Sequence, residues 1–437
     1  MVATVGRVMS LSRSIRSGDS GLTVVTTNFT YFLCALYIVA TFFAGDSVPF
    51  LLSVLLVALC TLKAAMQPYL DSLRLSVNVA SVYLFIAPCI FFLWLGSDEY
   101  VILLALTVPI LDCFVWAAGP RVKLGSNSMF QGPRATVTTY YVWITLLLAA
   151  AFGGLLIPES QSGLRMFSFQ ILFALSLLPF ERIIRSADTN TVFRCLFVYF
   201  AVVVALLVFY WNGFGRLVVV TYLLIPLLIG NNLRDLGFRV WQAVLVAPLL
   251  IALSVYSRSE EVSVERVAGD SGVSHLELSR QIMNMLPKLR VDSAGAFVQQ
   301  WSLVFLQWVP RAWWEDKPSG LGSLYVDDYL GRRGVSDGHS VATGYIGEQG
   351  WLLGYHAAFG GVVYFVTLVV LRALVGRFSE SYYGPVAVFD GFFSTYLWGG
   401  GASFGARAWF MIIPMLGVIY LLKSRGAKQN AAKGRRN

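Results

Sequence analysis

Apolar runs of about 20 residues recur along most of this chain, and each run is long enough to cross a hydrocarbon layer of about 30 Å as a helix. Of the 437 residues, 57% are hydrophobic and only 13% are charged. An ordinary soluble domain carries roughly 25% charged residues, so a soluble core cannot absorb this much apolar sequence. The pattern excludes a cytosolic enzyme, a secreted disulfide scaffold and an outer-membrane barrel, whose strands alternate over about 10 residues. It predicts an all-α polytopic membrane protein.

Apolar windows between polar or Gly/Pro breaks predict about twelve transmembrane helices. Their predicted bounds are 22–44, 48–66, 76–95, 99–118, 137–157, 166–180, 192–210, 216–232, 240–256, 350–371, 383–399 and 406–422. The predicted parts of the chain are an N-terminal segment 1–21, transmembrane helices 1–9 within 22–256, a large loop 257–349, transmembrane helices 10–12 within 350–422, and a basic tail 423–437.

The positions of Lys and Arg predict the orientation, because inner loops retain positive charge. With the N-terminus inside, 21 of the 33 cations fall in inner loops and the two termini, and three fall in short outer loops. The other nine lie in the 257–349 loop, which is too long for the rule to count. Both termini are therefore predicted to lie inside and the long loop outside. The net charge of +9 reflects this topology, so no nucleic-acid partner is expected.

Neither a disulfide framework nor a metal site is predicted from the cysteines, which all lie in or beside apolar segments. They are Cys34, Cys60, Cys89, Cys113 and Cys195. A cation site from Asp327, Asp328, Asp337 and His339 matches no defined loop spacing. We therefore predict no metal and no cofactor.

The 257–349 loop has 93 residues, and a loop of this length is uncommon unless it has a function. Within residues 292–310, aromatic and aliphatic side chains recur at helical spacing. They are Phe297, Trp301, Val304, Phe305 and Trp308. After a cap at Asp292 or Ser293, this pattern predicts a helix lying at the membrane interface.

Three stretches on the predicted outer side carry residues that can perform chemistry. Residues 212–216 place a guanidinium in a glycine turn, and residues 310–318 place two cations and two indoles between prolines. Residues 337–340 contain a histidine, and residues 344–354 contain a glutamate among glycines. Together they offer cations for a diphosphate, aromatic planes for sugar rings and titratable groups for proton transfer. This combination suits glycosyl transfer from a lipid diphosphate.

At these residues the chain resembles the O-antigen polymerases, which are oligosaccharide repeat-unit polymerases, and more distantly the O-antigen ligases. The Pro-Arg-x-x-Trp-x-x-Lys-Pro run at 310–318 is similar to an element of those polymerases. His339, Glu348 and Gly350 resemble the ligase pattern, although Ser340 stands where Asn often follows the histidine. Gly215-Arg216 resembles the outer-loop arginine of the family. Arg407, within Gly405-Ala406-Arg407, resembles the arginine of its last span.

The resemblance implies a C-type glycosyltransferase-like fold in the bacterial inner membrane, with the outer side facing the periplasm. It implies metal-independent polymerisation of undecaprenyl-diphosphate-linked oligosaccharide repeat units into O-antigen or a related surface polysaccharide. Expected partners are these lipid-linked oligosaccharides, membrane lipids, and as candidates a chain-length regulator and a flippase. The residues assigned to catalysis are His339, Arg216, Arg311 and Glu348; those assigned to substrate binding are Lys317, Trp313, Trp314 and Arg407. His339 or Glu348 would be the base.

Each assignment has a structural alternative. Arg216 and Arg407 could extend to lipid headgroups, and the tryptophans could anchor the membrane interface. Arg311 and Lys317 could pair with Glu315, Asp316 or other loop acids, His339 could be an ordinary loop residue, and Glu348 could cap or pair locally. The intramembrane acids Asp112 and Asp390 suit helix packing or an acceptor site better than catalysis.

Two other functions fit the same layout. An O-antigen ligase would use the same donor with lipid A core as the acceptor. A lipid-linked oligosaccharide flippase or other transporter would also have about twelve spans, but it would line a central cavity with charges. Here the cations cluster at the outer edge, and no internal repeat of the transporter type is found.

Overall fold

A computed structural model describes residue 36 and residues 135–158, 162–186, 188–209, 216–234, 293–311, 313–320, 348–349, 352, 357–379 and 382–434. Every regular element in these ranges is helical, and five helices are long and apolar enough to cross a bilayer. The helical class of the prediction is therefore confirmed. Predicted spans two to four and nine lie outside the described residues, as does span one apart from residue 36, so the count of twelve stays a prediction.

Seven helices form the described part of the chain. They are α1 (Val137–Phe152), α2 (Ser162–Ser186), α3 (Thr189–Phe209), α4 (Arg216–Arg234), α5 (Ser293–Leu306), α6 (Ala357–Ser379) and α7 (Gly384–Gly434). A short 3-10 turn, Gly153–Leu156, extends α1. Thr136 caps α1, because its side chain accepts a hydrogen bond from Thr139 N while Thr139 accepts one from Thr136 N.

The helix α2 lies at the centre of the bundle and packs against α1 and α7. Its buried aromatic side chains Phe173 and Phe180 contact Tyr199 of α3, with ring centroids 5.4 and 4.7 Å apart. The Tyr199 hydroxyl lies 2.8 Å from Ser176 Oγ and accepts a hydrogen bond from Trp143 Nε1 at 3.2 Å. These three polar side chains inside the apolar core are therefore paired with one another, as a low-dielectric interior favours.

One end of the bundle is held together by the carboxylate of Glu181. It accepts hydrogen bonds from the backbone N–H groups of Tyr383 and Gly384 at the start of α7, and it pairs with Arg185. A carboxylate at a helix N-terminus satisfies free donors and the helix dipole. This explains why α2 continues to Ser186, although the apolar pattern predicted an end at residue 180.

A buried ion pair joins α6 to α7. Arg372 Nε donates to Asp390 Oδ1 at 2.7 Å, and Arg372 Nη2 donates to Asp390 Oδ2 at 2.9 Å. The predicted span ended at residue 371 because Arg372 is charged, yet α6 continues to Ser379. The paired carboxylate makes this position tolerable for a guanidinium, and Asp390 has the helix-packing contact that its sequence position suggested.

The helix α7 is two arms that meet at Gly400, where φ is 76° and ψ is −177°. The first arm spans residues 384–399 and the second spans residues 400–434. The arms run back against each other, because a Cβ at Gly384 would lie 2.7 Å from Met415 Cε and Phe389 contacts Trp409. Helices therefore occupy both predicted spans, 383–399 and 406–422, and Gly400 makes the turn between them. The second is long and apolar enough to cross a bilayer, whereas the apolar stretch of the first, Gly384–Phe393, is shorter.

The predicted helix in residues 292–310 is confirmed as α5. Leu303 and Val304 are completely buried, and Trp301 Nε1 donates to Thr367 Oγ1 of α6 at 3.0 Å. The helix therefore packs on α6 and on the second arm of α7, which places this part of the long loop against the hairpin at Gly400.

Candidate functional site

The hairpin turn of α7 is built around the side chain of Glu348. Glu348 Oε2 accepts a hydrogen bond from Gly401 N at 2.8 Å, and a Cβ at Gly400 would lie only 1.9 Å from the same oxygen. A positive φ at Gly400 is also a conformation that glycine adopts most readily. The Glu348 carboxylate can therefore occupy this place only because residue 400 is a glycine, and its hydrogen bond to Gly401 N in turn stabilises the turn.

Two further glycines let α5 approach this turn. A Cβ at Gly401 would lie 2.7 Å from Val304 Cγ2, and a Cβ at Gly405 would lie 2.1 Å from Leu303 O. Trp409 Nε1 then donates to Val304 O at 2.7 Å. Small residues at a helix contact permit this close backbone packing. The contact fixes α5, and the segment that follows it, beside Glu348.

Burial raises the pKa of Glu348 to about 7, because the charged form loses its hydration, while the hydrogen bond from Gly401 lowers it by a smaller amount. The residue is 2% exposed, and among the described residues Oε1 has no hydrogen-bond partner. A carboxyl group in this state changes its protonation near neutral pH. One of its oxygens is also available to accept a proton.

Other buried polar side chains lie on the segments that meet at this turn. They are Gln300 of α5, Gln349, and Tyr364 of α6. The ring of Tyr364 approaches Gly401, where a Cβ would lie 2.8 Å from Tyr364 Cε1. Tyr364 interacts electrostatically with Glu348, and Gln300 lies one helical turn before Val304, which approaches Gly401.

The turn after α5 contains the predicted Pro-Arg and Lys-Pro element. Lys317 Nζ donates to Gln307 O at 2.5 Å and to Val309 O at 2.9 Å, which satisfies carbonyl groups at the end of α5. Arg311 Nη1 donates to Lys317 O at 2.7 Å. Partial burial, followed by the nearby Arg311 charge, lowers the pKa of Lys317. Lys317 therefore shapes the turn, and Arg311 stands exposed on it.

The two tryptophans of this turn differ in exposure. Trp313 is 78% exposed and Trp314 is half-buried. Within the described part of the chain, neither Arg311 nor Lys317 forms an ion pair with the exposed Glu315 or Asp316. The alternative of pairing with these two neighbouring acids is therefore not seen, and the other loop acids apart from Glu348 lie outside the described residues.

The turn reaches the α7 hairpin directly. Gln300 Nε2 donates to Ser319 O at 2.8 Å, and a Cβ at Gly320 would lie 3.3 Å from Ala402 Cβ. The structure therefore brings the 310–320 turn, Gln300 and Glu348 to the same end of the hairpin.

The two remaining predicted arginines belong to neighbouring helices. Arg216 is the first residue of α4, and the half-buried Arg407 lies on the second arm of α7. Arg407 interacts electrostatically with Tyr222, which is fully buried on α4. This interaction with a buried residue favours a role for Arg407 inside the protein over contact with headgroups. His339 lies outside the described residues.

Sequence reasoning did not identify Gln300, Gln349, Tyr364 or Gly400 as parts of this site. The signals that could have found them are the glycine run at residues 399–401 and the adjacent acid and amide at positions 348 and 349. Adjacent glycines in a membrane helix indicate a close approach or a turn.

No family model, curated protein or solved structure matches this chain. The function is therefore inferred from its residues and their contacts.

Proposed function

We propose that this protein polymerises undecaprenyl-diphosphate-linked oligosaccharide repeat units by glycosyl transfer on the periplasmic face of the bacterial inner membrane. A hydroxyl oxygen of the acceptor unit forms a bond to the anomeric carbon of the donor chain. The bond from that carbon to the diphosphate oxygen breaks, undecaprenyl diphosphate leaves with the electron pair, and the hydroxyl proton passes to a base.

The observation that carries this proposal is the meeting of the exposed Arg311 turn and the buried Glu348 at one hairpin. Transfer from a lipid diphosphate needs cationic donors for the leaving group and a proton acceptor for the incoming hydroxyl. The helix α5 links the two parts, because its Gln300 donates to Ser319 O of the turn and its Val304 packs against Gly401.

Arg311 is the proposed diphosphate ligand. Only Nη1 of its guanidinium donates a hydrogen bond within the described residues, and the acceptor, Lys317 O, holds the group in a fixed direction. The other N–H donors can bind two phosphate oxygens in parallel, which is the geometry that makes Arg a strong phosphate ligand. Lys317, Arg216 and Arg407 are the further proposed cations, and Trp313 and Trp314 offer ring faces to the sugars.

Glu348 is the proposed base, with His339 as the alternative. Its pKa of about 7 supports this choice, because a base is most efficient when its pKa is near the operating pH. No step of the proposed reaction passes through a metal or cofactor.

The test is to delete the gene in its source cell and separate the surface polysaccharide by gel electrophoresis. Loss of a polymerase should leave single repeat units attached to lipid A core, and re-expression should restore a ladder. Loss of a ligase would instead leave lipid A core without attached repeat units while the polymer remains on the lipid carrier. Loss of a flippase would leave unpolymerised units on the inner face. Either of the last two results would overturn the proposal.

A further inference from the structure

Beside the turn at Gly400, the buried polar side chains have more hydrogen-bonding capacity than they use. Glu348 Oε1 and Gln300 Oε1 are acceptors with no partner among the described residues. The Gln349 amide lies near the Tyr364 hydroxyl, but neither forms a hydrogen bond of ordinary length and angle there. Each of these four residues is at most 2% exposed.

Unused polar atoms at such depth are costly. A buried donor or acceptor without a partner costs about 1 to 3 kcal/mol, so a native protein rarely leaves several together without a reason. The packing around them is also specific, because Gly401 is the residue that lets Tyr364 and Val304 approach Glu348. The cluster is therefore a built feature of the fold.

The chemistry of the atoms indicates the class of ligand. Two of them, Glu348 Oε1 and Gln300 Oε1, accept hydrogen bonds, whereas the Gln349 amide has both a donor and an acceptor and the Tyr364 hydroxyl can play either part. A cation would leave the Gln349 N–H donors unused. A molecule with several neighbouring hydroxyl groups, each both donor and acceptor, can satisfy all of them.

The cluster lies beneath the surface turn that carries Arg311, because Gln300 of the cluster donates to Ser319 O. Aromatic rings stand around it, since Phe297 contacts Tyr364 with centroids 5.7 Å apart and Tyr396 stacks on Tyr364 at 5.9 Å. Aromatic side chains with a few polar groups among them are typical of sites that bind small molecules.

We infer that Gln300, Glu348, Gln349 and Tyr364 form a binding subsite for the hydroxyl groups of a sugar ring. Resting on the proposed function, this ring is the terminal sugar of the acceptor repeat unit. Gln349 and Tyr364 then hold the ring so that the attacking hydroxyl faces Glu348 Oε1. They are positioning residues, since they act by orienting the acceptor.

The test measures binding of the repeat-unit oligosaccharide, released from the cell's own lipid carrier by mild acid, to the full-length protein in lipid nanodiscs. Equilibrium dialysis needs no turnover. We expect Tyr364→Phe and Gln349→Leu each to weaken binding about three- to tenfold, the effect of losing one neutral hydrogen bond. The matched control is Tyr199→Phe, because this buried hydroxyl bonds to Ser176 and Trp143 of α2 and α1. It should leave sugar binding unchanged.

Equal binding by wild type, Tyr364→Phe and Gln349→Leu would overturn the subsite, as would the absence of binding to wild type, which would mean that the cluster holds only water. Tyr364→Phe keeps the test decisive if Gln349→Leu fails to fold. The gel ladder tests the polymerase proposal separately. If deleting the gene abolishes the ladder but the substitutions leave sugar binding unchanged, only the subsite is refuted. If the substitutions weaken sugar binding but deleting the gene leaves the ladder unchanged, only the polymerase proposal is refuted.

Discussion

The carboxylate of Glu348 fills the space that a side chain at Gly400 would need. Only 1.9 Å would separate Oε2 from a Cβ at that position, and the φ of 76° at Gly400 disfavours any other residue independently. The turn that reverses the last membrane helix and the proposed base of the reaction are thus parts of one arrangement. A change to either residue should disturb the other.

Gly400→Ala should destabilise the hairpin. The φ of 76° with a ψ of −177° is a conformation essentially confined to glycine and costs an L-residue about 1 to 3 kcal/mol, and the clash with Glu348 adds to this cost. Thermal unfolding of the purified protein in detergent should show a lower Tm. Gly417→Ala is the matched control, because a Cβ there meets nothing within 4 Å, and its Tm should be unchanged or higher. Equal Tm values for wild type and Gly400→Ala would show that the turn does not depend on this glycine.

Glu348→Gln should lower the polymerisation rate about 10² to 10⁴-fold, since a general base contributes that much. Because the pKa of Glu348 is about 7, the active carboxylate form accumulates as the pH rises. The wild-type rate should therefore increase through about pH 7 and level off above it, and this rise should vanish in the variant. His339→Ala distinguishes the two candidate bases in the same purified assay. If the rise disappears in that variant and persists in Glu348→Gln, His339 is the base.

Arg311→Lys should shorten the polysaccharide ladder nearly as much as Arg311→Ala. A lysine keeps the charge but loses the planar guanidinium that binds two oxygens in parallel. Arg377→Lys is the control, because Arg377 is an exposed arginine in the last turn of α6, away from the hairpin. Ladders are compared on gels at matched protein level. A full-length ladder from Arg311→Lys would remove this residue from diphosphate binding.

Asp390→Leu or Arg372→Met alone should destabilise the protein by about 3 to 5 kcal/mol, because each removes the ion-pair partner of a buried charge. The double variant removes both charges and should recover most of the loss. Unfolding in detergent with a chemical denaturant gives the three free energies of unfolding. Additive losses in the double variant would show that the pair does not act as a unit.

The predicted orientation can be tested by labelling single cysteines in whole cells with a membrane-impermeant reagent, in a protein from which the native cysteines have been removed. Asp316 and Lys423 are exposed, so Asp316→Cys and Lys423→Cys should leave the fold intact. Because the cation count places the long loop outside and the tail inside, Asp316→Cys should react and Lys423→Cys should be protected. The reverse pattern would place the hairpin site on the cytoplasmic side and exclude the proposed reaction.

The sequence by itself determined the helical membrane class, the positions of the described spans and the presence of α5. Each depends on local properties: the length of an apolar run, or the helical spacing of residues such as Phe297, Trp301 and Val304. It misplaced the ends of α2 and α6, because it treated Glu181 and Arg372 as charges that must leave the apolar layer. Their partners Gly384 and Asp390 are 203 and 18 residues away in the sequence.

The tertiary structure decided what the candidate site residues do. The sequence selected Glu348 and Arg311, but only folding shows that the first is buried against Gly400 and the second lies exposed, held by Lys317 O. Gln300, Gln349 and Tyr364 carry no pattern of their own that sets them apart from other polar residues in an apolar chain. Hydrogen bonding and burial are properties of pairs and neighbourhoods. They arise when α5, α6 and the hairpin of α7 pack together, so a local pattern cannot contain them.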